Sequence, residues 1–309
     1  SQALESNGRV ARRGPSSGDD FRRVRVWWEV SPSAINRYMR WVPFAKGGAF
    51  SPFYFDFVLL VDWDEQRFTF RDFYGRPGRE ISKLESSGYF FKTGITYISR
   101  TMQQFCVRIL PEGCAFAHVS PAIFLPDEHD LFATTAILNS TVVDRLLSMS
   151  LSRGGESSAQ TKAYEVGQLQ LLPFPETSII PASLEKLARE SYNLSRGLDT
   201  SNELSHMFCL PAIAQNLAGT LDIASQKTQA QIDNTQTQLA KIQSEIDSIV
   251  LGLYGLSTDE IDQLSIETSQ PINADDASVG EADEEGDDVV EEKEILSTGD
   301  LITDVQNLL

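Results

Sequence analysis

The chain has 309 residues, 41% hydrophobic and 9% aromatic, and carries a formal net charge of -18. That composition supports one large or two ordinary globular domains and excludes wholesale disorder. No run of eighteen apolar residues occurs, which excludes a membrane-spanning helix, and three scattered cysteines argue against a disulfide framework and for a reducing, cytoplasmic setting.

The first twenty residues hold three arginines without an apolar core, so they do not read as a signal peptide. A start at Ser1 rather than Met points to a piece of something longer. Residues 1–110 hold 17 Lys and Arg against 11 Asp and Glu, residues 111–270 hold 8 against 20, and residues 271–309 hold 1 against 13. A basic front half suits nucleic acid, which needs a local basic surface rather than a basic total. An acidic tail distorting an ordinary total would look the same, so charge alone does not decide.

Residues 1–20, rich in Ser, Gly and Arg, are expected to be a loop or disordered lead-in. From Val24 the pattern turns to strands. Val24, Val26, Trp28 and Val30 alternate with polar or aromatic partners, Asp56 to Asp62 is a short apolar run, and Phe68, Phe70 and Phe73 follow. Phe90–Arg100, Phe105–Leu110 and Ala115–Ser120 read as further strands, punctuated by Gly47-Gly48, Gly75, Pro77-Gly78 and Gly88. Leu131, Ala136, Leu138, Val142, Leu146 and Met149 then recur at helical spacing behind Asp127 or Asp130 as caps. Leu169–Leu172 is strand-like, and residues 183–196 and 202–218 read as helices.

The clearest period follows. Ile232, Leu239, Ile246 and Leu253 lie seven apart, with Ile242 and Ile249 on the other seam, and such a stripe wants a partner helix. The expected partner is the 202–218 helix, in an intrachain hairpin. Ser257-Thr-Asp-Glu260 is a capping-box start. Beyond Pro271 the tail is acidic and expected to be disordered.

No self-sufficient catalytic site is visible. There is no phosphate-cradling Gly-rich loop between strand and helix, no G-x-S-x-G elbow and no His pair at metal spacing. Cys106, Cys114, His118 and His129 fit no common zinc spacing, and Asp62 and Asp64 flanking Trp63 read more readily as strand-end acids than as a catalytic pair. The clustered polar residues are of another kind. Arg37, Tyr38, Arg40 and Trp41 precede Phe44-Ala-Lys-Gly-Gly48, where a glycine pair lets backbone approach another molecule and Lys46 adds a charge. Lys92-Thr-Gly-Ile-Thr-Tyr-Ile-Ser-Arg100 is a ladder of basic and hydroxyl groups, continued by Arg108. Such groups, with interleaved aromatics, position phosphates and read base edges; an ordinary solvated sheet face has the same composition.

Gly94-Ile-Thr-Tyr-Ile-Ser-Arg100, Phe105-Cys-Val-Arg108, Leu110-Pro-Glu-Gly113, Phe116, Ala136-Ile-Leu-Asn-Ser140, Arg153-Gly-Gly155, Lys162-Ala-Tyr-Glu-Val-Gly167 and Leu172-Pro-Phe-Pro175 form an ordered series. The series resembles the region after the catalytic domain in large adenine-specific DNA methyltransferases. These are the type IIG restriction–modification enzymes with TaqI-like specificity domains and the PglX-type methyltransferases of BREX and related phage-defence systems, DISARM among them. Trp41-Val-Pro-Phe-Ala-Lys-Gly-Gly48 with Tyr54 resembles the PglX type most, and Ile246–Leu256 does so more weakly.

The family's Asn/Asp-Pro-Pro-Tyr/Phe tetrapeptide and its Gly-rich S-adenosylmethionine loop do not occur here, and no Asp…Glu-x-Lys nuclease core is found. The resemblance therefore implies the recognition half of such an enzyme, with no cofactor of its own and S-adenosylmethionine in a catalytic domain outside this chain. The expected fold is α+β: a lead-in over 1–20, a β-rich DNA target-recognition domain over 21–180, a helical domain with a long helical hairpin over 181–267 and an acidic tail over 268–309. Arg40, Lys46, Gly47, Gly48, Lys92, Thr93, Thr96, Tyr97, Ser99, Arg100, Arg153 and Gly154 are expected to face double-stranded DNA. The partners implied are that duplex, the catalytic domain and other defence-system proteins. Two alternatives stand beside this: a protein-interaction scaffold of a defence complex, or an unrelated hydrolase using Asp62, Asp64 or Glu165.

Overall fold

The computed structural model describes residues 2–17, 19–36, 38–63, 84–150, 162–217, 219–257 and 259–261. Strands Gln2–Ala3 (β1) and Val10–Arg12 (β2) come first, then a single helical turn, Asp20–Arg23 (α1), capped by Asp19. Val24–Val26 (β3), Trp41–Ala45 (β4), Leu59–Asp62 (β5) and Gly94–Tyr97 (β6) follow. Arg100–Thr101 (β7), Val107–Leu110 (β8), Ala115–Phe116 (β9) and Ala122–Phe124 (β10) complete the strand-rich part.

Two four-stranded sheets organise it. One runs β2-β10-β6-β8 and is antiparallel throughout. The other runs β3-β5-β4-β9, antiparallel except where Phe44 and Ala45 of β4 pair with β9 in parallel. An aromatic core of Phe44, Trp63, Phe90, Phe116 and Phe124 fills the space beside the second sheet; Trp63 and Phe90 meet edge-on at 4.9 Å, a favoured ring geometry.

Residues 2–17 correct the expectation of a loose lead-in. β2 pairs with β10 from Val10↔Phe124 to Arg12↔Ala122, and Leu4 and Ala11 are fully buried. The polar composition misled because Arg9 is itself buried. Its guanidinium lies 4.4 Å over the Phe174 ring and donates to the hydroxyls of Thr134 (3.4 Å) and Thr177 (3.2 Å). The Val24–Val30 strand also stops early, at Val26, where the Glu29 carboxylate accepts the Val26 N–H at 3.3 Å and turns the chain. Phe68, Phe70 and Phe73 lie outside the described residues.

The remaining part is helical, built on Leu131–Leu138 (α2) and Thr141–Ser150 (α3), then Lys162–Ala163 (β11), which pairs with β7. Val166–Leu171 (α4) takes the place expected for a strand over 169–172, and the strand comes one residue later, at Pro173–Phe174 (β12), against β1. Ala182–Asp199 (α5), the single turn Ala212–Gln215 (α6) and Leu221–Tyr254 (α7) complete the fold.

The single helix expected over 131–149 is broken at Asn139-Ser140, because the Asn139 side chain bonds to a strand and the Ser140 hydroxyl turns back onto the end of α2. Asn139 pairs with β8, and the Ser140 hydroxyl donates to Ile137 O at 2.7 Å. α3 starts instead on a carboxylate from another helix: Asp247 of α7 accepts the Thr141 N–H at 2.8 Å and its hydroxyl at 3.0 Å.

α7 spans 34 residues, about 50 Å at 1.5 Å per residue. It buries Ile242, Ile246 and Val250 against a core shared with α2, α3 and α5. The long hairpin is therefore made with α5 rather than with a 202–218 helix, of which only α6 is helical. One apolar cluster runs from Leu4 through Ile95, Ile123 and Leu138 to Leu184 and Ile246, joining the first sheet to the helices.

Candidate nucleic-acid interface

Lys46 follows β4 directly, with its ammonium committed: it pairs with Asp20 and reaches the Ser17 hydroxyl at 3.2 Å. Burial pushes the Asp20 carboxyl up, but hydrogen bonds from Lys46 and Ser17 outweigh it and hold the group below its ordinary value. Gly47 and Gly48 follow with φ of +64° and +112°, which L side chains rarely adopt, and a Cβ on Gly48 would come within 2.6 Å of the Phe55 ring. Only glycine fits here.

This loop is held from behind by two buried residues. The Gly47 N–H donates to the Ser120 hydroxyl at 2.7 Å. Arg108, 1% exposed on β8, donates from one Nη to Gly47 O and from the other to Ala49 O at 3.2 Å, with its guanidinium 4.1 Å over the Phe55 ring. Burial lowers the Arg108 pKa to about 10, so it stays cationic at neutral pH. Thr96, its cross-strand partner, donates to the main-chain oxygens of Ser120 (3.2 Å) and Pro121 (2.9 Å).

Thr96 and Tyr97, expected to face DNA, are fully buried. All four residues of β6 are buried because strands flank it on both sides and core packs on both faces, so side-chain alternation does not bring either hydroxyl to solvent. Ser99 is half-buried and donates to Val119 O at 3.1 Å. Arg100 is exposed on β7, and Lys92 is exposed in the turn before β6, its ammonium 5.4 Å from the Tyr89 ring. Lys92 and Thr93 border an open groove of about 550 Å³ lined also by Tyr38, Phe91, Glu112 and Glu128. Arg40 is exposed and forms a two-pronged pair with Asp62 across β4 and β5, at 2.9 and 2.6 Å. Arg153 and Gly154 lie outside the described residues, as do Arg37 and Asp64.

The structure therefore brings together Lys46, Gly47, Gly48 and Thr96 around Ser120 and Arg108, and sets Lys92 with Thr93 apart from them. It adds cations that the sequence pattern passed over. Arg12 on β2 lies 5.3 Å from the same Tyr89 ring as Lys92, Arg13 beside it is exposed, and Lys162 stands opposite Thr101, next to Arg100. Arg12 and Arg13 were hidden in a segment too short and polar to show a strand period.

Cys106 and Cys114 are buried, and burial pushes both thiols up, Cys114 to about 12. Among the described residues no three His, Cys, Asp or Glu side chains come together as metal ligands would. Asp62 serves Arg40, and Glu165 caps α4, its N–H donating to Gln168 at 3.0 Å. Among the described residues no helix is long and apolar enough to cross a membrane.

No family model matches the chain. It is 26% identical over 277 residues to the adenine-specific methyltransferase PglX of Lacticaseibacillus casei (strain Zhang), a match covering 83% of this chain and 22% of the relative. The chain is thus homologous to a region of an adenine-specific methyltransferase, and spans about a fifth of that relative's length. Among solved structures it is similar to the type IIL restriction-modification enzyme MmeI in complex with DNA, at 11% identity and a TM-score of 0.44, over 84% of this chain and 35% of that one.

Proposed function

We propose that this chain is the DNA target-recognition region of an adenine-specific DNA methyltransferase of a restriction–modification or phage-defence system, BREX or DISARM among those the sequence resemblance implies. The observation that carries the proposal is the homology of most of this chain to a fifth of such a methyltransferase, in a sequence without the methyl-transfer tetrapeptide. An enzyme that methylates a base inside a duplex must extrude it, and its catalytic pocket then sees that base alone. Sequence choice falls to another surface, one that offers cations for register and polar groups for base edges.

Lys92, Arg12, Arg13, Arg100 and Lys162 supply the cations, with the Gly47–Gly48 loop and Thr93 as close-approach points. Residues 21–180, joined by Arg12 and Arg13 at the end of β2, do the recognising in this reading, and the helices that follow brace them. S-adenosylmethionine does not fit this chain. Its Gly-rich loop is absent from the sequence, and the glycine pair that is present has its carbonyl side tied down by Arg108. The cofactor belongs to the catalytic domain, for which the exposed Leu210, Leu217, Leu221 and Ile223 offer an apolar docking face.

The test is duplex binding by the full chain between 50 and 200 mM salt, with and without the catalytic half supplied. Binding that weakens steeply with salt supports the reading. No binding at 50 mM salt, even with the catalytic half restored, would sink it.

A further inference from the structure

We infer that the loop Gly47–Phe50 is a phosphate-binding cradle whose positive charge is Arg108, held behind the loop; as a site for a nucleic-acid backbone it rests on the DNA-recognition reading above. Arg108 takes hold of two carbonyls, Gly47 O and Ala49 O. A trans peptide places its N–H opposite its C=O. Drawing those two oxygens inward therefore turns the N–H groups of Gly48 and Phe50 outward. Ala49 and Phe50 are exposed, and among the described residues neither the Gly48 nor the Phe50 N–H has an acceptor.

Among the described residues the charge behind these donors has no counter-anion. Arg108 is 1% exposed, forms no ion pair among the described residues, and its Nε lacks any acceptor. Its neighbours are two carbonyl dipoles and the face of Phe55. A buried, unpaired cation in a medium of low polarisability projects its field toward the nearest solvent, which lies across the loop it holds. Lys46 does not supply this field, because Asp20 neutralises it. Two outward N–H groups over a positive charge are the arrangement by which backbone nests bind anions. Glycine at 47 and 48 leaves no side chain in the way. The ligand chemistry is a phosphate oxyanion, whether free or in a phosphodiester.

The experiment follows the amide protons of Gly48 and Phe50 in the 15N-labelled full chain during titration with inorganic phosphate, ionic strength being held constant with chloride. Saturable downfield shifts at both amides, lost or weakened at least tenfold in Arg108→Met, are expected. Should Arg108→Met fail to fold, Arg108→Lys keeps a cation but cannot bridge both carbonyls, and is expected to weaken the response at least threefold. Unmoved Gly48 and Phe50 amides in the wild type, or an unchanged response in the folded Arg108 variant, would overturn the inference. A duplex arm separates the two readings. Phosphate shifts at the loop without duplex binding sink the DNA reading and leave the cradle; duplex binding with unmoved loop amides does the reverse.

Discussion

The side chain of Asn139 pairs with the main chain of Val107 in both directions, its Oδ1 accepting the Val107 N–H at 2.8 Å and its Nδ2 donating to Val107 O at 2.9 Å. The carboxamide thus adds to the pairing that the main chain of Phe53 makes on the side of β8 away from β6. It also ends α2, and so sets the angle at which α3 leaves. Val107 is fully buried and its carbonyl also accepts the Phe53 N–H at 2.9 Å, so removing Asn139 leaves one buried donor, the Val107 N–H, unmet. Asn139→Ala is expected to lower stability by about 1–3 kcal/mol, read as a lower urea midpoint at unchanged slope. A loss below about 0.5 kcal/mol would mean that water replaces the amide.

The apolar stripe of α7 makes a second prediction. Ile246 is fully buried, whereas Ile232, two heptads earlier on the same stripe, is only half-buried. Ile246→Ala should cost about 2–5 kcal/mol and Ile232→Ala about 1 kcal/mol or less. Equal costs in denaturant unfolding would mean that the N-terminal half of α7 is packed as tightly as the C-terminal half.

A third concerns pH. His206 Nδ1 pairs with Asp56, whose second oxygen accepts the His206 N–H at 2.9 Å, and this ties the 200–209 turn to the segment before β5. The hydrogen bond that His206 donates to Asp56 outweighs burial and raises the His206 pKa; burial pushes Asp56 up, but hydrogen bonds from His206 and Ser205 hold it down. The histidine's contribution is complete below the ordinary imidazole value and is lost as pH rises through the raised one. That of Asp56 is present above the ordinary carboxylate value and is lost as pH falls through the lowered one. Stability from this pair therefore peaks between about pH 4 and 6.5. Because His206 is more than half exposed, the gain is about 1 kcal/mol or less. Unfolding at pH 5.5 and 8.5 should show that difference in the wild type and not in His206→Gln.

The sequence announced elements with a strong period and hid those set by single polar side chains. The stripe from Ile232 to Leu253 marked α7, and Ser257 and Glu260 exchange the capping-box hydrogen bonds expected of them, at 2.7 and 3.4 Å. The break at Asn139 was invisible, because its cause is a strand distant in sequence. The partner of α7 was misassigned for a related reason. Residues 202–218 have the apolar content of a helix, but the chain there is turned by contacts such as the Trp27 indole N–H to Leu204 O at 2.8 Å. At the candidate site, Lys92 and Arg100, expected to face DNA, lie exposed, whereas Thr96 and Tyr97 of the same ladder are buried, since period-2 reasoning assumes a sheet wet on one face.

That distinction makes the last prediction. Lys92 and Arg100 are exposed, and each phosphate they meet should contribute about 0.9 to the slope of log K against log salt. Lys92→Ala and Arg100→Ala are therefore expected to flatten the slope by about that amount and to weaken every duplex alike. Tyr97 lies beside them in sequence, but its hydroxyl is buried without an acceptor. Tyr97→Phe removes an unsatisfied polar group and adds no cavity, so it should leave the slope untouched and stability equal or higher by about 1 kcal/mol. The comparison is informative because the two residue types came from one sequence motif and differ only in where the fold puts them. If Tyr97→Phe changed the salt slope while Lys92→Ala and Arg100→Ala did not, the β6 strand would have to open on binding, and the exposed cations would not be the surface that meets the duplex.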